Sequence, residues 1–282
     1  MYLIDSGISR LGKVIKASYI QREIASGKGL FHGLDARVKV LFLIFFVVIV
    51  SLKKEIMPEA AITFFVLAIA VLSRLDILSL YRKVFFFGFV FGFLIALPAA
   101  LNVVTKGEVI LPVLRFSKAY DFGIYHVPAT IGITAEGVST VVMLTLRVIN
   151  SVSLSFLVLY TTPFADIIRA LKVFKVPDAV LMIITLTYKY IFIFAKTIED
   201  MHLAKKSRTA GGINNKEARE WIAGRIAFMF KKSRQRCEDV FNAMIARGFS
   251  DTVAIYGFKK MDKRDAAAGC VLFSAGIIFL WV

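Results

Sequence analysis

The sequence has few of the residues that build disulfides and metal sites. Its 282 residues include two cysteines, Cys237 and Cys270, and three histidines, His32, His126 and His202. Because the cysteines lie far apart, in a charged stretch and in a late apolar run, no disulfide framework is predicted. The histidines are scattered, without Cys, Asp or Glu neighbours at the spacing of a metal site. We therefore expect no metal bound directly by this chain.

The sequence also lacks the motifs of an enzyme that hydrolyses ATP. No stretch matches the phosphate-binding loop G-x-x-x-x-G-K-[ST], and the segment SGKGLF, residues 26–31, supplies only glycine-lysine-glycine. Clustered carboxylates or histidines that could hold a catalytic metal or activate a nucleophile are missing as well. We expect no catalytic residues and no directly bound cofactor, so ATP would have to be bound and hydrolysed by partner subunits.

Apolar residues, by contrast, are abundant. The chain is 58% hydrophobic and 13% aromatic, with a mean hydropathy of +0.72, which is the composition of a membrane protein. The 36 Lys and Arg against 20 Asp and Glu give a net charge of +16. Such an excess suits cytoplasmic loops, anionic lipid or acidic partner surfaces, and nucleic acid is the weaker interpretation.

Five apolar runs approach the roughly 20 residues that a helix needs to cross a bilayer core about 30 Å thick. They are residues 38–52, 57–73, 84–104, 131–160 and 266–282. A sixth run, 179–195, is interrupted by Lys189. A lysine near the bilayer centre costs roughly 2.5–3.5 kcal/mol. We therefore interpret this run as a slanted or shallow helix that packs on protein more than on lipid.

Basic residues orient these spans. The N-terminal segment and residues 74–83 carry an excess of Lys and Arg, and residues 199–264 hold 15 of them against 8 Asp and Glu. Because cytoplasmic loops are enriched in Lys and Arg, these three segments are predicted inside, and residues 105–130 are predicted to form an outside loop. In the inner membrane of the cell, the amino terminus is therefore predicted to be cytoplasmic and the carboxyl terminus outside.

The predicted fold is an all-α integral membrane protein with about five transmembrane helices plus long cytoplasmic amphipathic helices. Residues 1–37 are predicted as a cytoplasmic segment, and residues 38–160 as four transmembrane helices. Residues 161–264 are predicted as a cytoplasmic helical region and residues 265–282 as the last span.

Two long helices are predicted within the cytoplasmic region. The first runs from Asp178 to about Arg208 without an internal proline, and TAGGINN then breaks it. The second runs from Lys216 to about Arg247, where Gly248 supplies the left-handed residue that ends many helices. Apolar residues recur along it mostly at steps of three and four, which makes one stripe. The stripe consists of Ile222, Ile226, Met229, Phe230, Cys237, Val240, Phe241, Met244 and Ile245.

Each of these helices ends on an arginine between small residues. The two triplets are Ser207-Arg208-Thr209 and Ala246-Arg247-Gly248. Small neighbours let a guanidinium enter a groove, where it can bind a carboxylate in bidentate fashion. The alternative is that cations merely favour helix C-termini through the helix dipole, an effect of roughly a few tenths to 1 kcal/mol. The recurrence on two successive helices weakens this alternative.

A single arginine, Arg147, lies inside the fourth apolar run, in TLRVINS. A charge within the membrane faces protein or water and is by default a functional hypothesis. It either anchors or gates the helix bundle, or its side chain snorkels or binds a neighbouring carbonyl. Gly88 and Gly92 form a GxxxG motif in the third run, which is compatible with close helix packing, although ordinary bundle packing is favoured in a Phe-rich span.

The order of these features resembles that of the transmembrane T component of energy-coupling factor transporters, the EcfT or CbiQ family. GLFHGLDARVKVL, residues 29–41, is similar to the family's segment before its first span. TTPFADIIRALKVFKVP, residues 161–177, is similar to its short first coupling segment. The two triplets resemble its paired arm-end motifs, although the first departs from the commoner Ala-Arg-Gly form. The resemblance covers nearly the whole chain.

The resemblance implies a non-enzymatic permease subunit that works with partners. Each triplet would dock one subunit of a cytoplasmic ATPase dimer, and Arg208 and Arg247 would transmit the motion of that dimer. A membrane S component that binds the cargo would contact the apolar stripe at Ile222, Ile226, Phe230, Val240, Phe241 and Met244. The early LIDSGIS segment and the long 105–130 loop are more similar to the CbiQ branch, which implies cobalt or nickel uptake and a CbiM-like S component.

Three alternatives stay open on the sequence. A T component could serve a vitamin importer instead. A membrane enzyme acting on lipid or isoprenoid substrates would need clustered carboxylates or histidines near the membrane face, which the sequence does not offer. A self-contained secondary transporter would favour inverted repeats with broken helices, and no such repeat is visible.

Overall fold

The computed structural model describes residues 27, 29–102, 104–105, 107–115, 120–122, 125–127, 130–208, 215–249 and 262–281. The chain divides into two compact units, residues 24–164 with 261–282 and residues 1–23 with 165–260. We call the described part of the first unit the bundle and that of the second unit the arm region.

Helices dominate both units. In chain order they are α1 (Ala36–Leu52), α2 (Ile56–Leu72), α3 (Ile77–Phe87), α4 (Ala135–Thr161), α5 (Phe164–Ala170), α6 (Asp178–Arg208), α7 (Asn215–Ala246) and α8 (Lys263–Trp281). α3 continues into a π-helical segment, Gly88–Leu94, and a 3₁₀ turn follows at Leu97–Ala100. A second 3₁₀ turn, Leu171–Phe174, follows α5.

Aromatic and aliphatic side chains of α1, α2, α4 and α8 pack the core of the bundle. Phe46 of α1 is fully buried, and its ring stacks on that of Phe65 of α2 with the centroids 5.4 Å apart. Phe279 of α8 contacts Phe65 at the same centroid distance. Leu154 and Leu157 of α4 are buried in the same cluster. Helices from the beginning, the middle and the end of the chain therefore share one core.

Contacts at both ends of α1 and α8 show that these two helices run parallel. The amide of Asp35, which precedes α1, donates to Asp265 Oδ1 in the first turn of α8 at 3.3 Å. At the other end, Nζ of Lys53, which follows α1, donates to the carbonyl of Leu280 near the end of α8 at 3.1 Å.

α4 runs antiparallel to α1 and to α3. Nζ of Lys39, near the start of α1, donates to the carbonyl of Thr161 at the end of α4 at 2.9 Å. Gly92 of the π-helical segment packs on α4 so closely that an added Cβ would lie 2.9 Å from the Cα atom of Thr145. Gly88 packs in the same way on the side chain of Ile149. The two glycines of the GxxxG motif therefore allow a close approach of α4, although ordinary bundle packing was favoured from the sequence.

Several helices of the described chain are long and apolar enough to cross a membrane. Four meet this criterion, Ile77–Leu94, Ala135–Thr161, Asp178–Arg208 and Lys263–Trp281, and the shorter Ile56–Leu72 is apolar as well. The prediction of an all-α membrane protein with long additional helices is confirmed. The run 179–195, interpreted as shallow, belongs to a helix that could span by length and composition alone.

The predicted third span, 84–104, is wrong at both ends. Its helix begins at Ile77 and ends at Leu94, so Arg82 and Lys83 lie within a helix rather than in a loop. Lys83 Nζ donates to the hydroxyl of Tyr160 at 2.6 Å and lies 5.3 Å from the centre of that ring. Lys83 is therefore a helical residue with a partner on α4, and lysine and arginine are good helix formers.

The region predicted as an outside loop contains short strands. They are β1 (Val109–Arg115), β2 (Tyr120–Phe122), β3 (Tyr125–Val127) and β4 (Thr130–Thr134). β1 pairs with β4 and β2 pairs with β3, both in antiparallel fashion. α4 begins at Ala135 rather than at 131, because the hydroxyl of Thr134 accepts a hydrogen bond from the amide of Gly137 at 3.1 Å and caps the helix there.

The arm region contains the two predicted long helices. α6 has 31 residues and α7 has 32, and their bounds, Asp178–Arg208 and Asn215–Ala246, match the predictions to within one residue. The predicted break, TAGGINN, lies outside the described residues apart from Asn215.

Candidate functional site

The end of α7 is a well-formed helix stop that presents Arg247. Gly248 has φ +79°, and its amide donates to the carbonyl of Ile245 at 2.9 Å. The amide of Phe249 donates to the carbonyl of Met244 at 3.0 Å. These two bonds form a Schellman motif around a left-handed glycine. Arg247 is exposed immediately before that turn, so the backbone fixes its position.

The end of α6 presents the other arginine. Arg208 is the last residue of α6 and is exposed. Ser207 is exposed too, and its hydroxyl donates to the carbonyl of Ala204 at 3.0 Å. Thr209, the third residue of this triplet, lies outside the described residues. The structure therefore places an exposed arginine at the end of each long helix, as the sequence predicted.

An aromatic residue joins the end of α6 to the beginning of α7. Nζ of Lys205 on α6 lies 4.1 Å from the ring centre of Trp221 on α7. The guanidinium of Arg225 lies 5.8 Å from the same ring. A cation over the face of tryptophan is attracted by the ring quadrupole, by about 0.5–1 kcal/mol at exposed sites. The contact holds α6 against α7 three residues before Arg208.

The apolar stripe of α7 is largely uncovered. Phe230 is 76% exposed and Ile226 is 63% exposed, and Phe241 is exposed as well. The other predicted contact residues, Ile222, Val240 and Met244, are half-buried. A contiguous apolar surface rimmed by charges is typical of a protein or membrane interaction site. The predicted role of the stripe as an S-component contact stays a prediction.

Arg147 binds two groups within the bundle. Its Nη2 atom donates to the carbonyl of Lys53, just after the end of α1. Its Nε atom faces Oε1 of Glu59 on α2 at 3.6 Å. Asn150, one turn further along α4, donates from Nδ2 to Glu59 Oε2 at 2.8 Å. Arg147 therefore contacts protein groups, and both a carbonyl and a carboxylate contribute.

Sequence reasoning found Arg147 but missed its partners. Glu59 stands as a lone acid next to Pro58 in the apolar run 57–73, which was the available signal. It also missed Lys39, which is 2% exposed and binds the carbonyls of His32 and Thr161. Such pairings join residues up to 122 positions apart, and no local pattern announces them.

The described residues do not form a cluster that could hold a metal ion. Among the residues that the structure describes, no three His, Cys, Asp or Glu side chains come close enough to hold an ion. Both cysteines are free and exposed. The expectation that this chain binds no metal itself stays a prediction.

Comparisons with known proteins agree with these features. The model of the CbiQ family, described as cobalt transport protein, matches residues 27–254. An uncharacterized protein of Methanocaldococcus jannaschii is 27% identical over 285 residues, which cover 98% of this chain and 94% of the relative. The cobalt transport protein CbiQ of Rhodobacter capsulatus is 25% identical over 148 residues, 51% of this chain and 57% of that protein.

The family match includes most of the bundle and all of α6 and α7, so both the apolar helices and the arginine-ended helices fall within it. With several helices able to cross a bilayer, this is a multi-pass membrane protein and a transport permease component. The chain belongs to the CbiQ family of cobalt transport proteins.

Proposed function

We propose that this chain is the transmembrane coupling subunit, the T component, of an ATP-driven importer for cobalt or nickel ions. In this role it has no catalytic residues and binds no cofactor. ATP is hydrolysed on two cytoplasmic ATPase subunits, and a CbiM-like membrane S component selects the metal, which is cargo. The chain transmits the motion of the ATPases to the S component.

The observation that carries this proposal is the pair of exposed arginines at the ends of α6 and α7. A docking role requires a guanidinium at a fixed place with space around it. Gly248 supplies both at Arg247, because it turns the chain without adding a side chain. Ser207, next to Arg208, has a small side chain that leaves space around the guanidinium. Each arginine can then form a bidentate bond with an acidic groove on one ATPase subunit.

The direction of the bundle helices supports a cytoplasmic location for the arm region. Thr161, at the end of α4, is bonded to Lys39 near the start of α1. Asp265, at the start of α8, is bonded to Asp35 just before α1. In a membrane, the chain between them would then begin and end on the same side. α7 carries eleven charged residues, which favours a shallow α6 over one that crosses completely and requires α7 to return through lipid. The excess of Lys and Arg in residues 199–264 supports the cytoplasm as that side.

Charge reversal at the two arginines tests the docking role. The tagged chain is co-expressed with its ATPase and S-component partners, and the membranes are solubilised and purified through the tag. We expect R208E and R247E each to reduce the recovered ATPase and the double variant to abolish it, with loss of radiolabelled Co²⁺ uptake. K232E is the matched control, because Lys232 is exposed on α7 and Glu there could pair with Arg236 four residues later.

A double variant that inserts normally, retains the ATPases and transports Co²⁺ like the unmodified chain would contradict the docking role. The same purification identifies the cargo branch by its companion. Recovery of a vitamin-binding membrane protein in place of a metal-binding one would replace cobalt or nickel by a vitamin and leave the coupling role intact.

A further inference from the structure

A network of polar contacts crosses four helices of the bundle where α1 and α8 end. Lys53 Nζ donates to the carbonyl of Leu280 on α8 at 3.1 Å. The carbonyl of Lys53 in turn accepts a hydrogen bond from Arg147 Nη2 on α4. Nε of Arg147 faces Glu59 Oε1 on α2 at 3.6 Å. The network therefore connects the C-terminal ends of α1 and α8 with α2 and α4.

Helix lengths explain how an arginine in the middle of α4 reaches these groups. α4 has 27 residues and α1 has 17, which correspond to about 40 Å and about 26 Å at 1.5 Å per residue. Arg147 lies twelve residues after the start of α4, so about 18 Å of α4 extends beyond it. The turn between α1 and α2 is level with Arg147, and not with the start of α4. A mid-helix charge therefore meets the end of a shorter helix.

Glu59 depends on Arg147 for charge neutralisation more than Arg147 depends on Glu59, because only Arg147 reaches solvent. The side chain of Glu59 is 0% exposed and that of Arg147 is 26% exposed. Asn150 Nδ2 donates to Oε2 and to the backbone carbonyl of Glu59 at 2.8 and 2.9 Å. Thr63 holds the amide in that orientation, because its hydroxyl donates to Asn150 Oδ1 at 2.8 Å. These bonds fix one carboxylate oxygen, and the other faces the guanidinium.

The network has two tasks that an arginine can perform together. The guanidinium neutralises a carboxylate that water does not reach, and it binds a carbonyl just beyond the C-terminal end of α1, where the helix dipole favours a cation. Lysine has a point charge in place of a planar fork and could not make both contacts with the same geometry.

We infer that Arg147 is a positioning residue that fixes the turn between α1 and α2 on α4 by neutralising Glu59 and binding the Lys53 carbonyl. The inference concerns the bundle alone and does not depend on ATPase docking or on the cargo. This pairing leads to a specific prediction. Removing the charge of Arg147 alone should lower the stability of the protein more than removing the charges of Arg147 and Glu59 together.

The test compares R147M, E59Q, the double variant R147M/E59Q and R147K in the full-length protein, with R169M as a matched control. Arg169 forms an exposed ion pair with Asp166 at 3.1 Å and should tolerate its loss. We expect R147M to lower the apparent Tm in detergent by on the order of 10 °C. E59Q should have a smaller effect, since the exposed part of Arg147 can reach water. The double variant should recover most of the loss, and R147K only part of it.

Hydrogen exchange measured by mass spectrometry separates positioning from general packing. In R147M, we expect faster exchange at residues 53–59 and 147–150, with the peptides around Phe46 and Leu154 unchanged. The double variant should return residues 147–150 towards the unmodified rates and leave residues 53–55 fast, because it removes the unpaired charge of Glu59 but still lacks the bond to the Lys53 carbonyl. Additive effects of the two substitutions, an R147M no less stable than R169M, or uniformly faster exchange would each overturn the inference.

Discussion

The bundle and the arm region differ in how they cover their apolar side chains. Phe46 of the bundle is fully buried, whereas Phe230 on α7 is 76% exposed. The bundle also exposes phenylalanines, such as Phe86 and Phe89, but they lie on a helix apolar enough to face lipid. α7 carries eleven charged residues among its 32, so its apolar stripe lies on a helix that is otherwise highly charged. The bundle therefore buries a core of its own, whereas the stripe of α7 is largely exposed in the described part of the chain.

Charged residues differ between the two regions in the same way. In the bundle, Lys39, Glu59 and Asp265 are buried and bond to groups on other helices or helix ends. Several ion pairs on α6 and α7 are exposed and local, as in Lys196 with Asp200 and Arg234 with Glu238, four residues apart. Exposed pairs contribute about 0–1 kcal/mol. Buried charges therefore join different helices in the bundle, whereas these exposed pairs of the arm region act within one helix.

Truncating one phenylalanine in each region should give the largest contrast. Phe46→Ala removes a fully buried ring and should lower the free energy of unfolding by about 3 kcal/mol, because the cavity it leaves is lined by fixed neighbours. Phe230→Ala should leave the stability of the isolated chain nearly unchanged and reduce recovery of the S component. Unfolding in detergent and co-purification measure the two effects. Equal destabilisation by both changes would contradict the contrast.

Adding one methyl group should also have opposite effects in the two regions. A Cβ on Gly92 would lie 2.9 Å from the Thr145 Cα, whereas one on Gly224 of α7 has open space around it. Gly92→Ala should therefore cost about 1–3 kcal/mol by forcing α3 away from α4. Gly224→Ala should stabilise α7 by about 0.5–1 kcal/mol, because glycine is a poor helix former. Thermal unfolding and helix content by circular dichroism would check both, and destabilisation by Gly224→Ala would show that another molecule or segment contacts that face.

The sequence predicted the arm region better than the bundle, for a physical reason. The bounds of α7 depend on local signals, a stripe with helical period and a glycine at its end, and they agree to within one residue. In α3, Lys83 donates to the hydroxyl of Tyr160, which lies 77 residues further along the chain, and no local pattern predicts that partner. In β4, Ile131 and Ile133 look like the start of an apolar helix, yet the strand pairs with β1 across the intervening residues.

The residues of the candidate site also differ in how far they could be predicted from local sequence. Arg208 and Arg247 were predictable because a helix end is a local feature, and the structure confirms that both are exposed there. The role of Glu59 was not predictable, because a lone acid in an apolar run gives no indication of which helix will supply its partners. Its partners, Arg147 and Asn150, lie 88 and 91 residues further along the chain. Only the packing of α2 on α4 brings them together.

The smallest expected effect concerns the turn that presents Arg247. Gly248 adopts φ +79°, and a residue with a Cβ atom pays about 1–2 kcal/mol to adopt this conformation. Gly248→Ala should leave the Tm of the whole chain unchanged, loosen residues 244–249 in hydrogen exchange, and lower ATPase recovery several-fold. Gly248→Asn is the matched control, because asparagine enters the left-handed region more readily. If alanine and asparagine behave alike in exchange and in recovery, then the geometry of this turn does not position Arg247, and the guanidinium would be presented by the helix end alone.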